Sequence, residues 1–443
     1  VETVIVGGGI SGLAAAYYLN RRGVRPVLIE EQPRLGGLIE TRRLAGCTLE
    51  AGPESFLASK PWAVELVREL GLGGELIGSN DHARRTFIVR NGRLTPMPEG
   101  LVLFVPADPA KLAGSDLLSA AARERIQRER DRQPSGELPE RSVAEFVIDH
   151  FGEEVLDYLA EPLLAGVYGG DPWQLSASAV LPQFVELETR HGSVLRGLAN
   201  RPKADATPAS VFQSLKGGLG QLIDTLAARV EARVIREARC SVRAAPGGGF
   251  AVQAGGETIR AARLLVAVPA WAAAELLGAL DAELAAELAA IPYTPSLTVA
   301  LVYDKQAFDG PDGFGFLVPR VERRRVMAST WIGAKWAHRV PGDKVALRVF
   351  FNDEAILGEP DAAVLAIVRD ELREIMGVHA APAAATIGRW PASMPQYTLG
   401  HAARVARIFA RAAAHPGLTI LGNAYHGVGI PDAVRLARDA ARA

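Results

Sequence analysis

Three glycines near the amino terminus restrict this chain more than any other feature. Gly7-x-Gly9-x-x-Gly12 lies between a short apolar run, residues 1–6, and small apolar residues at helical spacing, residues 10–20. A strand, a glycine turn and a helix in that order open a βαβ unit that seats a pyrophosphate. Gly7 permits the tight turn, Gly9 lets the backbone approach the phosphates, and Gly12 lets helix and strand pack closely. The helix start, with Ile10 and Ser11, offers unpaired N–H groups and a positive dipole end to the anion. Gly23 closes the helix, and residues 24–30 read as a second strand. Glu30 ends that strand, eighteen residues after Gly12. A carboxylate there accepts hydrogen bonds from ribose hydroxyls and repels a 2′-phosphate. The fold class is therefore α/β with an adenine-dinucleotide site. A glycine turn in an unrelated α/β fold is the competing reading, and the strand–helix context argues against it.

At 443 residues the chain is too long for one core, so two or more domains are expected. The 49 basic and 50 acidic residues leave a net charge of -1, which gives no bulk reason to bind nucleic acid. Cys47 and Cys240 are far apart and form no CxxC pair, so no metal site is expected and a reducing cytoplasm is the default. No signal peptide is expected ahead of the first strand. The most membrane-like stretch, residues 261–280, is broken by Arg263, Pro269 and Glu275 and reads as strand, turn and helix. Residues 123–132 mix five arginines with Glu124, Glu129 and Asp131, which reads as a solvated helix face rather than an acidic-lipid contact.

Further along, residues 87–94 alternate as a hairpin about Asn91-Gly92. Residues 114–200 are mostly helical, and 201–210 look like a linker. Strands are expected near 231, over 263–268, 297–303 and 345–351, with a helix over 361–376. A strand at 418–421, a glycine loop and a helix from Pro431 end the chain. A nucleotide motif at one end and a strand–glycine–helix unit at the other predict one domain assembled from distant segments.

After Glu30 comes Glu31-Gln32-Pro33-Arg34-Leu35-Gly36-Gly37, in which a cation and paired glycines suit a second approach to the pyrophosphate. This extension resembles the signature of flavin-dependent amine oxidases and their relatives, which implies FAD. No second GxGxxG follows a strand, so oxygen or another direct acceptor is expected in place of NAD(P)H. Gly422 to Asp432 runs from a strand into the last helix, whose start would stabilise a reduced flavin ring. Residues 389–397, with Trp390 and Tyr397, resemble the relatives' segment that passes the isoalloxazine. It has no cysteine, so the FAD is expected to be noncovalent.

Three further stretches narrow the family. Gly166-Val167-Tyr168-Gly169-Gly170-Asp171 with Leu175-Ser176, residues 312–319, and residues 394–401 resemble protoporphyrinogen and coproporphyrinogen oxidases. That resemblance spans nearly the whole chain. It implies a Rossmann-like FAD domain (1–85, 211–275 and 388–443), a mixed-sheet α+β substrate domain (86–105 and 276–387) and a helical domain (106–210). It implies cofactor contacts from Gly7, Gly9, Ile10, Ser11, Gly12, Glu30, Glu31, Arg34, Leu35, Gly36, Gly37, Gly52, Pro53, Glu54, Ser55, Cys240, Trp390, Gly422, Gly427, Val428, Gly429 and Ile430. Substrate contacts are expected from Lys60, Gly166 and Tyr168.

The implied reaction is hydride transfer from a porphyrinogen to flavin N5, with oxygen giving peroxide, late in haem biosynthesis. Positioning carries most of such a reaction, so no acid–base catalytic residue is expected. The substrate slot should be apolar with cations at its carboxylate rim. Where many protoporphyrinogen oxidases carry an Arg that pairs with a propionate, Thr86 stands, preceded by Arg84 and Arg85. Residues 96–100 and 330–338 look like the coproporphyrinogen-type members of Gram-positive bacteria, which favours coproporphyrinogen III. Some relatives attach to membranes through the helical domain, so peripheral contact with the inner face of the cytoplasmic membrane and hand-over to haem-pathway enzymes are further expectations. Two rivals stay open: another flavin oxidase or carotenoid-type desaturase, and a flavin or porphyrin carrier without turnover.

Overall fold

Residues 4–6 are buried on both sides, which is what a strand inside a parallel sheet requires. In the computed structural model, which describes residues 2–134, 136, 138–201 and 210–442, Glu2–Val6 sits centrally in a seven-stranded sheet. It pairs in parallel with Val27–Ile29 on one side and with Glu257–Val266 on the other. Arg233–Ile235 extends the first side. Glu257–Val266 changes partner along its length. Its first half pairs antiparallel with Phe250–Ala254, and its second half pairs in parallel with Leu418–Ile420. One sheet thus joins the start, middle and end of the chain.

Alternation along Glu2–Val6 feeds two cores. Val4 and Val6 pack with the helices Ala270–Leu277, Ala282–Ala289 and His401–Ala413. Ile5 faces the first helix, Ile10–Asn20, and the last, Ile430–Arg442. The second strand is shorter than expected, Val27–Ile29, because Pro26 has no N–H to add to a ladder.

A second seven-stranded sheet runs Ala384–Pro395, Tyr293–Asp304, Lys344–Phe351, Ala328–Trp331, Gly315–Leu317, Thr86–Arg90 and Arg93–Pro96. The last two form the expected hairpin, with Asn91 and Gly92 at φ +51° and +72°. Asp361–Met376 covers one face through Val364, Val368 and Leu372. The other face packs through Ala300, Val302 and Ala346 on Cys47 and Leu49, and the Thr298 hydroxyl donates to the Ala51 carbonyl at 2.8 Å.

Two expected edges move. Residues 388–395 belong to a strand of the second sheet, because Ala384–Pro395 pairs with Tyr293–Asp304. Residues 276–291 pack on the first sheet, through Leu276, Leu284, Leu288 and Ile291. Within the expected linker, residues 202–209 lie outside the described residues. Among the described residues no helix is long and apolar enough to cross a membrane.

Helices between Ala120 and Ala199 form a separate apolar cluster around Phe104, Phe146, Phe151 and Phe184. Here one expectation fails. Glu129 leaves the solvated face and lies buried, its carboxylate accepting from Ser193 Oγ and from the N–H groups of Val194 and Leu195. His150 is buried between Glu129 (2.7 Å) and Glu188 (2.9 Å). Burial alone would push the His150 imidazole down, but the two flanking carboxylates outweigh it and raise its pKa. Its stabilisation is therefore complete below the ordinary imidazole value of about 6.5 and fades as pH climbs through the raised folded-state value. The Tm should fall across that interval. His150→Gln should flatten the slope and cost about 3–5 kcal/mol at pH 6. A variant matching the parent in Tm and slope would refute the buried imidazolium.

Candidate active site

The turn after the first strand is shaped by atoms that leave no room for a side chain. At Gly7, φ +106°, a Cβ would meet the Ala267 carbonyl oxygen and Val268 Cγ1. At Gly12 it would strike the Gly7 carbonyl oxygen, so the helix rests directly on the turn. Gly9 differs. It caps the first helix at φ -71°, and the nearest atom to its Cβ position is Gly37 Cα at 3.9 Å. The protein tolerates a methyl there, and only a guest at the helix start would not.

The Gly36-Gly37 segment folds back onto this turn. Gly36 N–H donates to the Gly8 carbonyl at 2.8 Å, and Gly9 and Gly36 form a parallel bridge. Leu35 packs beside Gly8. Two backbone segments thus flank the unpaired N–H groups of Ile10, Ser11 and Gly12. Glu30 is fixed by Gly8 N–H at 2.6 Å and Gln32 N–H at 2.8 Å, with further acceptor capacity for hydroxyls. Cys240 lies close by; burial first, then Glu31 and Glu30, push its thiol up to about 11. The arrangement fits a dinucleotide: a cradle that a Cβ at Gly9 would fill, beside an anchored carboxylate.

Three of the expected contact residues also have partners within the protein. The Arg34 guanidinium donates to the carbonyls of Leu35 (3.3 Å), Ile39 (3.0 Å) and Gly37, so it braces the glycine pair. Glu31 pairs with Arg239 at the surface. Glu54 turns to Lys335, with Arg348 at 3.9 Å. Burial raises the Glu54 carboxyl, but Lys335 and Arg348 more than reverse that and hold it below the usual range. Gly52 packs on the Leu38 carbonyl, flanked by Pro53 and Ser55, which are half-buried. Trp390 Nε1 donates to the Ala51 carbonyl at 2.8 Å, tying the second sheet to this loop.

The last glycine loop closes the site from the other side. Gly422 and Gly427 take φ +135° and +120°, and Val428 and Gly429 lead into the helix at Ile430. Tyr397 clamps the loop, donating to the Asn423 carbonyl (2.7 Å) and accepting from Gly427 N–H (2.9 Å). Beside Gly427 opens a cavity of about 610 Å³, lined by Lys60, Tyr168, Tyr397, His401, Phe409 and His426 among others. Lys60 and Tyr168, remote in sequence, therefore meet at one cavity. Lys60 Nζ pairs with the buried Asp432 at 2.6 Å. Burial pushes the Tyr168 phenol up to about 12 and His401 down to about 4, so at neutral pH neither is charged. His401 stacks on Tyr397 at 4.0 Å. Gly166 shares a helix with Tyr168 but is not brought into this wall: two helical residues apart, they face nearly opposite ways, and open space lies over Gly166.

Sequence reasoning missed His401, Phe409, His426 and the buried set Glu50, Lys335, Arg339 and Arg348. Arg348 left a trace as a lone cation in the apolar run Val345–Phe351, while Lys335 and His401 fall in stretches singled out only for their resemblance. Gly9→Ala should keep the parent's Tm to within about 1 °C yet cut flavin retention tenfold or more, read from absorbance of the purified protein. Full flavin content would show that nothing rests against Gly9.

The sequence matches the family of flavin containing amine oxidoreductases over residues 10–443. It is 32% identical to the coproporphyrinogen III oxidase of Bacillus subtilis, covering 98% of this chain and 95% of that protein. Protoporphyrinogen oxidase 1, chloroplastic, of Arabidopsis thaliana is 29% identical, over 97% of this chain and 85% of its own length. A crystal structure from Exiguobacterium sp. 255-15, solved as a candidate protoporphyrinogen oxidase, superposes with a TM-score of 0.89 at 31% identity, covering 100% of this chain and 98% of that one. The chain belongs to the flavin containing amine oxidoreductase family.

Proposed function

We propose that this chain binds FAD noncovalently and oxidises a porphyrinogen to the porphyrin in haem biosynthesis, with coproporphyrinogen III as the preferred substrate. The observation that carries the reading is the meeting of Lys60, Tyr168 and the Gly427 loop at one aromatic cavity, in a chain alike over its length to porphyrinogen oxidases. In this reading the first sheet and its helices hold the cofactor. The helical cluster, the helix His401–Ala413 and the Gly427 loop wall the substrate.

FAD supplies a ring that accepts hydride, and oxygen, the final acceptor, leaves as peroxide. The chain's own task is placement. Gly7, Gly9, Gly12, Gly36 and Gly37 seat the pyrophosphate, and Glu30 holds the ribose. Tyr397 keeps the Gly427 loop and the start of the last helix aimed at the ring. Neutral Tyr168 and His401 give the cavity polar edges without charge, which suits a substrate whose interior is pyrrole N–H and hydrocarbon. Lys60 uses one of its three N–H donors on Asp432 and keeps the others for a substrate carboxylate. A porphyrinogen already carries the electron-rich nitrogens that expel hydride, so no general base is required of the protein.

Coproporphyrinogen carries four carboxylates and protoporphyrinogen two, so the tetracarboxylate gains more from a rim cation. Parallel assays should show oxygen-dependent fluorescence growth with both, faster with coproporphyrinogen III. Turnover of an amine with neither porphyrinogen oxidised would overturn the assignment. Lys60→Ala should lower kcat/KM about tenfold for the tetracarboxylate, the worth of one charge-assisted hydrogen bond, and less for the dicarboxylate. Equal losses would remove Lys60 from the rim.

A further inference from the structure

Beneath the Gly52–Ser55 loop lies a buried surplus of positive charge. The side chains of Lys335, Arg339 and Arg348 are 13%, 1% and 4% exposed. The carboxylates that reach them are Glu50 and Glu54, and among the described residues no other forms an ion pair with the three. Three cations against two anions leave one charge uncompensated.

The surplus falls on Arg348. Lys335 pairs with Glu54, and Arg339 with Glu50 at 3.0 Å; Arg339 Nη2 also donates to Ser214 Oγ and the Leu215 carbonyl, while its Nε finds no acceptor among the described residues. Arg348 donates to the Gly52 carbonyl and stacks over Phe350 at 4.6 Å. Its nearest carboxylate oxygen is 3.9 Å away, and Nε finds no acceptor among the described residues. An unpaired charge is costly to bury, and negative charge brought close to it from outside the chain would offset that cost.

Its position says what. Gly52 rests on Leu38, Ala51 N–H donates to the Glu40 carbonyl at 2.8 Å, and the Gly36-Gly37 half of the cradle lies just upstream. Arg348 thus stands behind Gly52, whose contact Leu38 directly follows the Gly36-Gly37 half of the cradle. Hydride transfer brings two electrons and one proton to the flavin, so the ring's charge falls by one. A buried cation acts on that charge with little screening by solvent or salt.

We propose that Arg348, supported by Lys335 and Arg339, is an electrostatic positioning set that raises the reduction potential of the bound flavin. The idea rests on the FAD reading above, not on the identity of the substrate. Its test is the two-electron midpoint potential of the holoenzyme, measured by dye-coupled reduction without any porphyrinogen. Arg348→Met and Lys335→Met should each shift the equilibrium about tenfold toward oxidised flavin, a fall of about 30 mV. Arg348→Lys, which keeps the charge, should shift it less than twofold. Unchanged or raised potentials in the two neutral variants would overturn the proposal. Should Arg348→Met not fold, Lys335→Met, at a more accessible site, decides alone. A parent that binds flavin but ignores porphyrinogens refutes the substrate assignment and leaves this test standing, whereas a parent that takes up no flavin overturns both.

Discussion

Gly36 gives its N–H to the carbonyl of Gly8, and Gly37 comes so near Gly9 that a Cβ on Gly37 would stand 3.3 Å from Gly9 Cα. That backbone-to-backbone approach fixes the distance between the first turn and the loop after the second strand. Gly8 uses its N–H on Glu30, so the same residue orders the carboxylate and the glycine pair. Arg34 then locks the pair from outside through carbonyls. A Cβ at Gly8 or Gly37 would crowd the facing segment, whereas one at Gly9 meets nothing closer than 3.9 Å.

From that seat the rest of the architecture follows by sheet pairing. Glu257–Val266 joins the first strand to Leu418–Ile420, and so delivers the last glycine loop to the same end of the sheet as the first. Tyr397 ties that loop to the segment leaving the second sheet. Trp390 and Thr298 both donate to the Ala51 carbonyl, so the second sheet is held to the cofactor side by two hydrogen bonds to one atom. Aromatic walls and a single accessible ammonium then leave a cavity suited to a large, mostly apolar polycarboxylate.

Much of this was legible in the residues because it is local. The glycine spacing, Glu30, the Asn91-Gly92 hairpin and the helix Asp361–Met376 each follow from patterns a few residues long. Family resemblance added Lys60 and Tyr168, which no local pattern singles out. What could not be read is long-range charge pairing. The carbonyls that Arg34 braces are not evident from its place in the sequence, and Glu129 looks solvated until His150 closes on it across 21 positions. The strand Ala384–Pro395 was hidden by Pro391 and Pro395, which sheets admit only where their missing N–H faces outward. Arg348 and Arg339 acquire meaning only when five charged side chains meet under one loop.

The central claim is that the glycine contact builds a seat for a pyrophosphate, not merely for a flavin ring. Titrating deflavinated protein with FAD and with FMN, followed by flavin fluorescence, tests it most directly. One equivalent of FAD should bind with at least a hundredfold preference over FMN, which lacks the second phosphate and the ribose that Glu30 would hold. Equal affinity for the two, or no saturation with FAD, would contradict the account.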